Sequence, residues 1–214
     1  MAVTLKVDFV SDVSCPWCVI GLRSLEAAVA NLKDEVSVEL HFQPFELNPQ
    51  MGPTGQDIVE HVAEKYGSSS ADIERNREVI RARGAALGFT FDMAKRGRVY
   101  NTFDAHRLLH WAAIEGKQEK LKNALFSAYF TEGRNPSDAA VLVDVAQSVG
   151  LEAKRAAEIL SSDEFSQEVR EREQFYVSRG IRAVPSVIIN DQHLIQGGQP
   201  PEVFEKALRQ LAAR

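Results

Sequence analysis

Cys15 and Cys18, the two cysteines of this 214-residue chain, stand two residues apart in Ser14-Cys15-Pro16-Trp17-Cys18. A C-x-x-C pair between an apolar strand and the mouth of a helix reads as a redox dithiol. Leu5 to Val10 alternates and then turns apolar like a buried strand, and Pro16 suits the first helical position, where its missing N–H removes no hydrogen bond. Cys15 is then the N-cap. Beyond it Cys18, Leu22, Leu25, Val29 and Leu32 recur at spacings of four and three, one apolar stripe of an amphipathic helix. The pattern predicts a strand feeding directly into a helix, with Cys18 pointing inward and Cys15 outward.

That asymmetry divides the chemistry. A thiolate at a helix N-terminus is stabilised by unpaired backbone N–H groups and the positive end of the helix dipole, so Cys15 is expected to be acidic and to act as nucleophile. Cys18, one turn deeper, is expected to resolve the mixed disulfide that Cys15 forms with a partner thiol. Two inert buried cysteines are the plainer reading. A zinc site needs two further ligands; His106 and His110 have helical spacing but nothing in the sequence ties them to Cys15, so no metal is expected.

The net charge of −5 comes from interspersed acids and bases, with no basic stripe, which excludes nucleic acid as an expected partner. No stretch approaches the roughly 18 apolar residues of a membrane span. Met1 to Lys6 carries no charged-then-apolar leader pattern and runs into the first strand. A cytoplasmic setting is expected, where a surviving C-x-x-C is more often catalytic or redox-sensing than structural.

After the first helix, Val36, Val38, Leu40 and Phe42 alternate with polar residues in a strand from Val36 to Phe45. From Pro49 to about Leu160 the periodicity is helical, over Gln56 to Tyr66, Ala71 to Leu87, Asn101 to Glu115, Lys117 to Thr131, Asp138 to Val149 and Glu152 to Leu160. A further helix runs from Phe165 to Gly180. Val184-Pro185-Ser186-Val187-Ile188-Ile189 opens a hairpin that turns at Asn190-Asp191 and returns through His193-Leu194-Ile195. Phe204, Ala207, Leu208 and Leu211 form the buried stripe of a last helix.

This order of elements is similar to the thioredoxin fold, and the helical block resembles a DsbA-type insertion. Ser11 to Cys18, Asn101 to Ala112 and Gly180 to Pro185 together resemble the FrnE-like branch of the DsbA family, in one consistent order over nearly the whole chain. The expected fold class is therefore α/β: a thioredoxin-fold domain from 1-50 plus 163-214, interrupted by an all-helical insertion over 51-162.

The resemblance implies that Val184-Pro185 is the family's cis-proline loop, which offers its backbone to an extended peptide or thiol substrate by strand addition. The plainer alternative is that Pro185 only begins an edge strand. Arg182-Ala183 and Ser186 depart from the residues common there. Trp17 stands where DsbA has histidine, and an indole has no charge to offer a thiolate, so DsbA's oxidising poise does not carry over. Trp17 is expected to give substrate an apolar cover, or else to fill a gap against the insertion. Phe9 occupies the place of the family's buried acid. Asp12, three residues before Cys15, is a candidate proton acceptor for Cys18, though an Asp there more usually caps the turn. Asn101, His106 and Arg107 are candidates to line the cleft, on a similarity to kappa-class glutathione transferases and 2-hydroxychromene-2-carboxylate isomerases; a capping Asn on a solvated helix face is the alternative.

Thiol–disulfide oxidoreduction on protein or small-thiol substrates is the favoured function. It requires no cofactor beyond the dithiol, with glutathione as a candidate co-substrate and the oligomeric state left open. The alternative is a glutathione-dependent isomerase or transferase of the kappa or 2-hydroxychromene-2-carboxylate isomerase type, against which Cys18 argues because such enzymes need no resolving thiol. A non-catalytic redox sensor or chaperone-like binder would use the same cleft.

Overall fold

The computed structural model describes residues 2–213. Strand β1 (Val3–Ser11), helix α1 (Pro16–Asn31) and strand β2 (Val36–Pro44) form a parallel crossover, in register from Val3 opposite Val36 to Ser11 opposite Pro44. A helical stretch follows: the two-residue strand β3 (Gln56–Asp57), α2 (Ile58–Tyr66), α3 (Ser70–Ala86), the short strand β4 (Arg98–Val99), α4 (Phe103–Ile114), α5 (Gln118–Phe130), α6 (Ala139–Ser148) and α7 (Ala153–Leu160). The chain returns through α8 (Ser166–Ser178), β5 (Ser186–Ile189), β6 (His193–Gln196) and α9 (Pro201–Ala212). The sheet order is β2-β1-β5-β6, with β5 antiparallel to both β1 and β6. This is the thioredoxin arrangement with helices inserted after β2.

Local chemistry explains the elements. Asn190 and Asp191 both take positive φ, 50° and 59°, the left-handed pair at the centre of the turn that the Gln192 N–H closes on the Ile189 carbonyl at 3.2 Å, a conformation that Asn and Asp tolerate. Ser69 and Asp72 close a reciprocal capping box at the start of α3. Helical periodicity placed a helix start at Gln56, but Asp57 caps α2 by accepting from the N–H groups of Val59 and Glu60, while Gln56 and Asp57 pair with Arg98 and Val99. Such a short ladder leaves no periodic trace. Likewise α4 starts at Phe103, two residues after the expected Asn101, whose side chain accepts from the Phe103 N–H at 2.9 Å.

The packing crosses position 51 in both directions. Ile80, Phe89, Phe91, Phe126, Tyr129 and Phe130 join the sheet core with Phe9, Leu22, Val187 and Phe204. Val13, from the loop after β1, joins the helical core around Leu108, Leu125 and Leu142. Phe9 is fully buried, edge to face with Phe42 at 5.8 Å between ring centroids, and burying such a ring contributes about 1.5–3 kcal/mol.

Gln118 docks the inserted helices on the sheet. Its amide accepts from the Phe42 N–H and donates to the Phe42 carbonyl, both at 3.0 Å, standing in for a neighbouring strand on the open edge of β2. One turn further along α5, this anchor brings Lys122 beneath the sheet edge.

Candidate active site

Cys15 sits at the N-cap of α1 with extended backbone angles, φ −92° and ψ 114°, and Pro16 follows at the first helical position. The Cys18 N–H donates to the Cys15 carbonyl at 3.1 Å, closing the first turn and bringing the two thiols together. Both cysteines are free thiols. Cys18 is 0% exposed, as its place on the apolar stripe requires. The outward Cys15 is only 4% exposed, a correction to the sequence expectation: the chain segment at Val184 folds over the helix mouth, and the Cys15 thiol donates to the Val184 carbonyl at 3.8 Å.

The two sulfurs are electrostatically unlike. The Cys18 thiol donates to the Cys15 sulfur, and this bond with the backbone N–H groups of Cys18 and Trp17 outweighs burial and the Asp12 charge, lowering the Cys15 pKa. Burial first, then that same hydrogen bond and the Cys15 charge, push Cys18 well above an ordinary thiol. Lys122 and a backbone hydrogen bond from Asp12 oppose the rise.

The Val184-Pro185 bond is cis. A methyl group on Gly21 would sit 3.0 Å from the Pro185 Cγ, so glycine at this position of α1 admits the proline ring. The Pro185 carbonyl accepts from Gly197 at 2.8 Å, tying the loop to the end of β6. Trp17 is partly buried with its backbone and ring against Gly198, and the Arg83 guanidinium lies 5.3 Å above that ring while donating to the Gly198 carbonyl at 2.6 Å. The indole thus fills the space between α3 and the loop before α9, next to the dithiol.

Asp12 is 1% exposed. One carboxylate oxygen accepts from the Ser14 N–H at 3.1 Å and the other from the Leu47 N–H at 2.7 Å, so the side chain caps the turn and pins the segment after β2. His106 approaches with its Nε2 3.8 Å away, at ion-pair range. Burial alone would raise the Asp12 pKa, but His106 and the two N–H donors together hold it below the ordinary carboxylate range. A carboxylate kept ionised in this way is a weak proton acceptor, and its bonds are those of a cap.

The remaining candidates separate. Asn101 is committed to Phe103, to Glu46 at 3.1 Å and to the Pro49 carbonyl at 3.5 Å, and none of these bonds reaches the dithiol. Arg107 lies apart, buried and donating to the carbonyls of Ile159, Ser162 and Glu164 at the end of α7. His106 alone of that helical run reaches the dithiol's surroundings.

Some groups beside the site had not been singled out from the sequence. The Arg96 guanidinium donates to the Ser14 carbonyl at 3.2 Å and stacks over Phe130 at 4.9 Å. Lys65 and Tyr66, at the end of α2, both feel the charge of Cys15. Lys122 is 1% exposed, with its ammonium 5.1 Å from the Phe126 ring centroid. Its signal was present: Lys122, Phe126 and Tyr129, spaced by four and three, put a lysine on an apolar stripe. Among the described residues no group of three or more His, Cys, Asp or Glu side chains is gathered as metal ligands are, and no helix is long and apolar enough to cross a membrane.

Known proteins share this fold. The chain is 31% identical to a probable DsbA oxidoreductase from Streptomyces coelicolor, with a TM-score of 0.92 over 98% of this chain and 91% of that one. Its fold is shared at 17% identity by a 2-hydroxychromene-2-carboxylate isomerase, with a TM-score of 0.74 over 96% and 95% of the two chains. The cytosolic disulfide reductase DsbM from Pseudomonas aeruginosa, solved with glutathione, is likewise 17% identical, with a TM-score of 0.66 over 98% of this chain and all of that one. The model of the DSBA-like thioredoxin domain matches residues 6–209, and the chain belongs to that family of thiol–disulfide oxidoreductases.

Proposed function

We propose that this chain exchanges disulfides through Cys15 and Cys18, with protein or small-thiol substrates presented along the Val184-Pro185 loop. One observation carries the reading: within a single helical turn Cys15 stands at the N-cap with its thiol against the Val184 carbonyl, while Cys18 is wholly buried, a placement that lowers the pKa of the first thiol and raises that of the second. Cys15 thiolate attacks a substrate disulfide, forming a mixed disulfide and releasing one substrate thiolate. Cys18 then loses its proton and attacks the Cys15 sulfur, the second substrate thiolate leaves, and two electrons have passed from the dithiol to the substrate. The reverse sequence oxidises a substrate dithiol. The glutathione bound to the DsbM relative supports glutathione as a co-substrate, and that relative's cytosolic setting supports a cytoplasmic one here. The three sequence motifs support a place in the FrnE-like branch.

Trapping tests the assignment. Cys18→Ser is expected to accumulate glutathione or peptide adducts on Cys15, and Cys15→Ser few or none. Alkylation of the Cys18→Ser protein is expected to titrate below the ordinary thiol value of about 8.5. Abundant adducts on Cys15→Ser, with none on Cys18→Ser, would reverse the roles. Isomerase or glutathione-transferase turnover that survives Cys18→Ser would favour the reading in which position 15 only activates glutathione.

A further inference from the structure

Resolution by Cys18 requires its proton to leave a site with no solvent exposure, and Phe9, the fully buried β1 residue in the same apolar cluster, cannot receive it. The titratable groups around this interior come from several elements: Asp12 after β1, Cys15 on the other side of the turn, His41 on β2, His106 and His110 on α4, Lys122 on α5 and Arg172 on α8. Asp12 is spent on two backbone N–H groups. His106 is drawn to Asp12. Lys122 is different: it is buried with its ammonium 6.0 and 5.1 Å from the centroids of the Phe42 and Phe126 rings, and those rings belong to the apolar cluster that also contains Cys18. It also lines a cavity of about 160 Å³ with His41, Gln43, His106 and Arg172, room enough for several waters.

We infer that Lys122, supplied by the inserted helices, is the charge partner of the resolving cysteine. The inference rests on the dithiol reading above. When Cys18 ionises, its proton passes to the Lys122 amine, so thiol plus amine becomes thiolate plus ammonium and the apolar interior gains no net charge. The thiolate attacks the Cys15 sulfur, the bond from that sulfur to the substrate breaks, and the substrate leaves as a thiolate that takes a proton from water. The ammonium then returns its proton to solvent through the cavity. Two properties fit this role. Burial lowers Lys122 to about 8, so both protonation states are populated near neutrality, and the charge that most favours its ammonium is that of Cys18. Lys122 lowers the Cys18 pKa, and its coupling to the Cys15 charge is the weaker of the two.

Dithiobis-nitrobenzoate separates the two steps, because one coloured thiolate is released when Cys15 attacks and a second when Cys18 resolves the adduct. In Lys122→Met, which replaces a buried charge by an apolar chain of similar length and is expected to fold, the first release keeps its rate within twofold. The second slows at least tenfold at pH 7, and its pH midpoint rises by one unit or more; Lys122→Arg, whose guanidinium is always protonated and cannot take up the proton, leaves the second release slower than wild type. A second release with unchanged rate and midpoint overturns the inference, as does equal slowing of both phases. A wild-type protein that makes the first release and keeps the adduct overturns the resolving role of Cys18 itself, a separate failure. On the native protein, nuclear magnetic resonance of the Lys122 side chain is expected to titrate at lower pH in the disulfide form, where the thiolate charges are gone, than in the dithiol form. Identical midpoints would also overturn the inference.

Discussion

Asp12→Asn should move stability and thiol acidity in opposite directions. The carboxylate spends one oxygen on the Ser14 N–H and the other on the Leu47 N–H, at 3.1 and 2.7 Å. An amide keeps one oxygen and presents an NH2 where the other stood, so one of these N–H groups loses its acceptor and meets a donor. Hydrogen bonds to charged groups contribute about 1.5–3 kcal/mol each. With one lost, we expect about 2–3 kcal/mol of destabilisation, or roughly 4–12 °C in melting temperature for a chain of this size. The Asp12 charge meanwhile opposes ionisation of Cys15, so its removal should shift the pH midpoint of Cys15 alkylation downward. A third consequence follows from linkage. The Asp12 pKa is depressed in the folded state, so its contribution is complete above the unfolded carboxylate value near 3.9 and is lost as pH falls below it. The variant should therefore lose less stability than wild type on acidification below pH 4. Thermal melts between pH 3 and 7 and iodoacetamide kinetics in the same buffers measure all three. A melting temperature equal to wild type, or an alkylation midpoint that stays or rises, would refute the geometry assigned to Asp12.

The two other polar positions of the shared helical run should behave as structure. Asn101→Ala removes the acceptor for the Phe103 N–H and should cost about 1 kcal/mol in urea unfolding, with disulfide exchange kept within twofold; a selective loss of exchange would return Asn101 to the substrate site. Arg107→Met leaves the Ile159, Ser162 and Glu164 carbonyls without their donor and should cost about 3–5 kcal/mol, with faster amide exchange between α7 and α8 and an unchanged Cys15 alkylation midpoint. A shifted midpoint would show that Arg107 acts on the dithiol.

What could be read from the sequence was whatever a local pattern encodes. The apolar stripe from Cys18 to Leu32 fixed both the strand-to-helix turn and which thiol is buried, because helix periodicity alone decides which face meets the core. The β5–β6 hairpin was legible because Asn190-Asp191 is turn chemistry between β-branched runs. The burial of Cys15 was not, since it comes from the segment at Val184, 169 residues away in sequence. Asp12 was left between two roles because both need the same residue at the same place, and only its partners, above all the Leu47 N–H, distinguish them. The β3–β4 ladder and the Gln118 pairing to Phe42 are too short to leave any period in the sequence.

Lys122 shows why the inserted helices belong to the chemistry and not only to the shape of the cleft. A buried lysine in an apolar cluster is costly unless a negative charge meets it, and around Lys122 the charges that favour its ammonium are Cys18, Asp12 and Cys15. Two of those three appear only in the reduced form, as thiolates, and vanish when the disulfide closes. The lysine therefore stabilises the reduced state relative to the oxidised one to the extent that it is charged, which biases the redox pair toward accepting electrons in its disulfide form, a bias that Trp17, without a charge, cannot supply. Its depth is set by Gln118, one turn earlier on α5, whose amide is hydrogen-bonded to the edge of β2. The bias of the redox pair is thus tied to how firmly the insertion is docked on the sheet, and Phe9, fully buried on β1, offers no titratable group that could replace it.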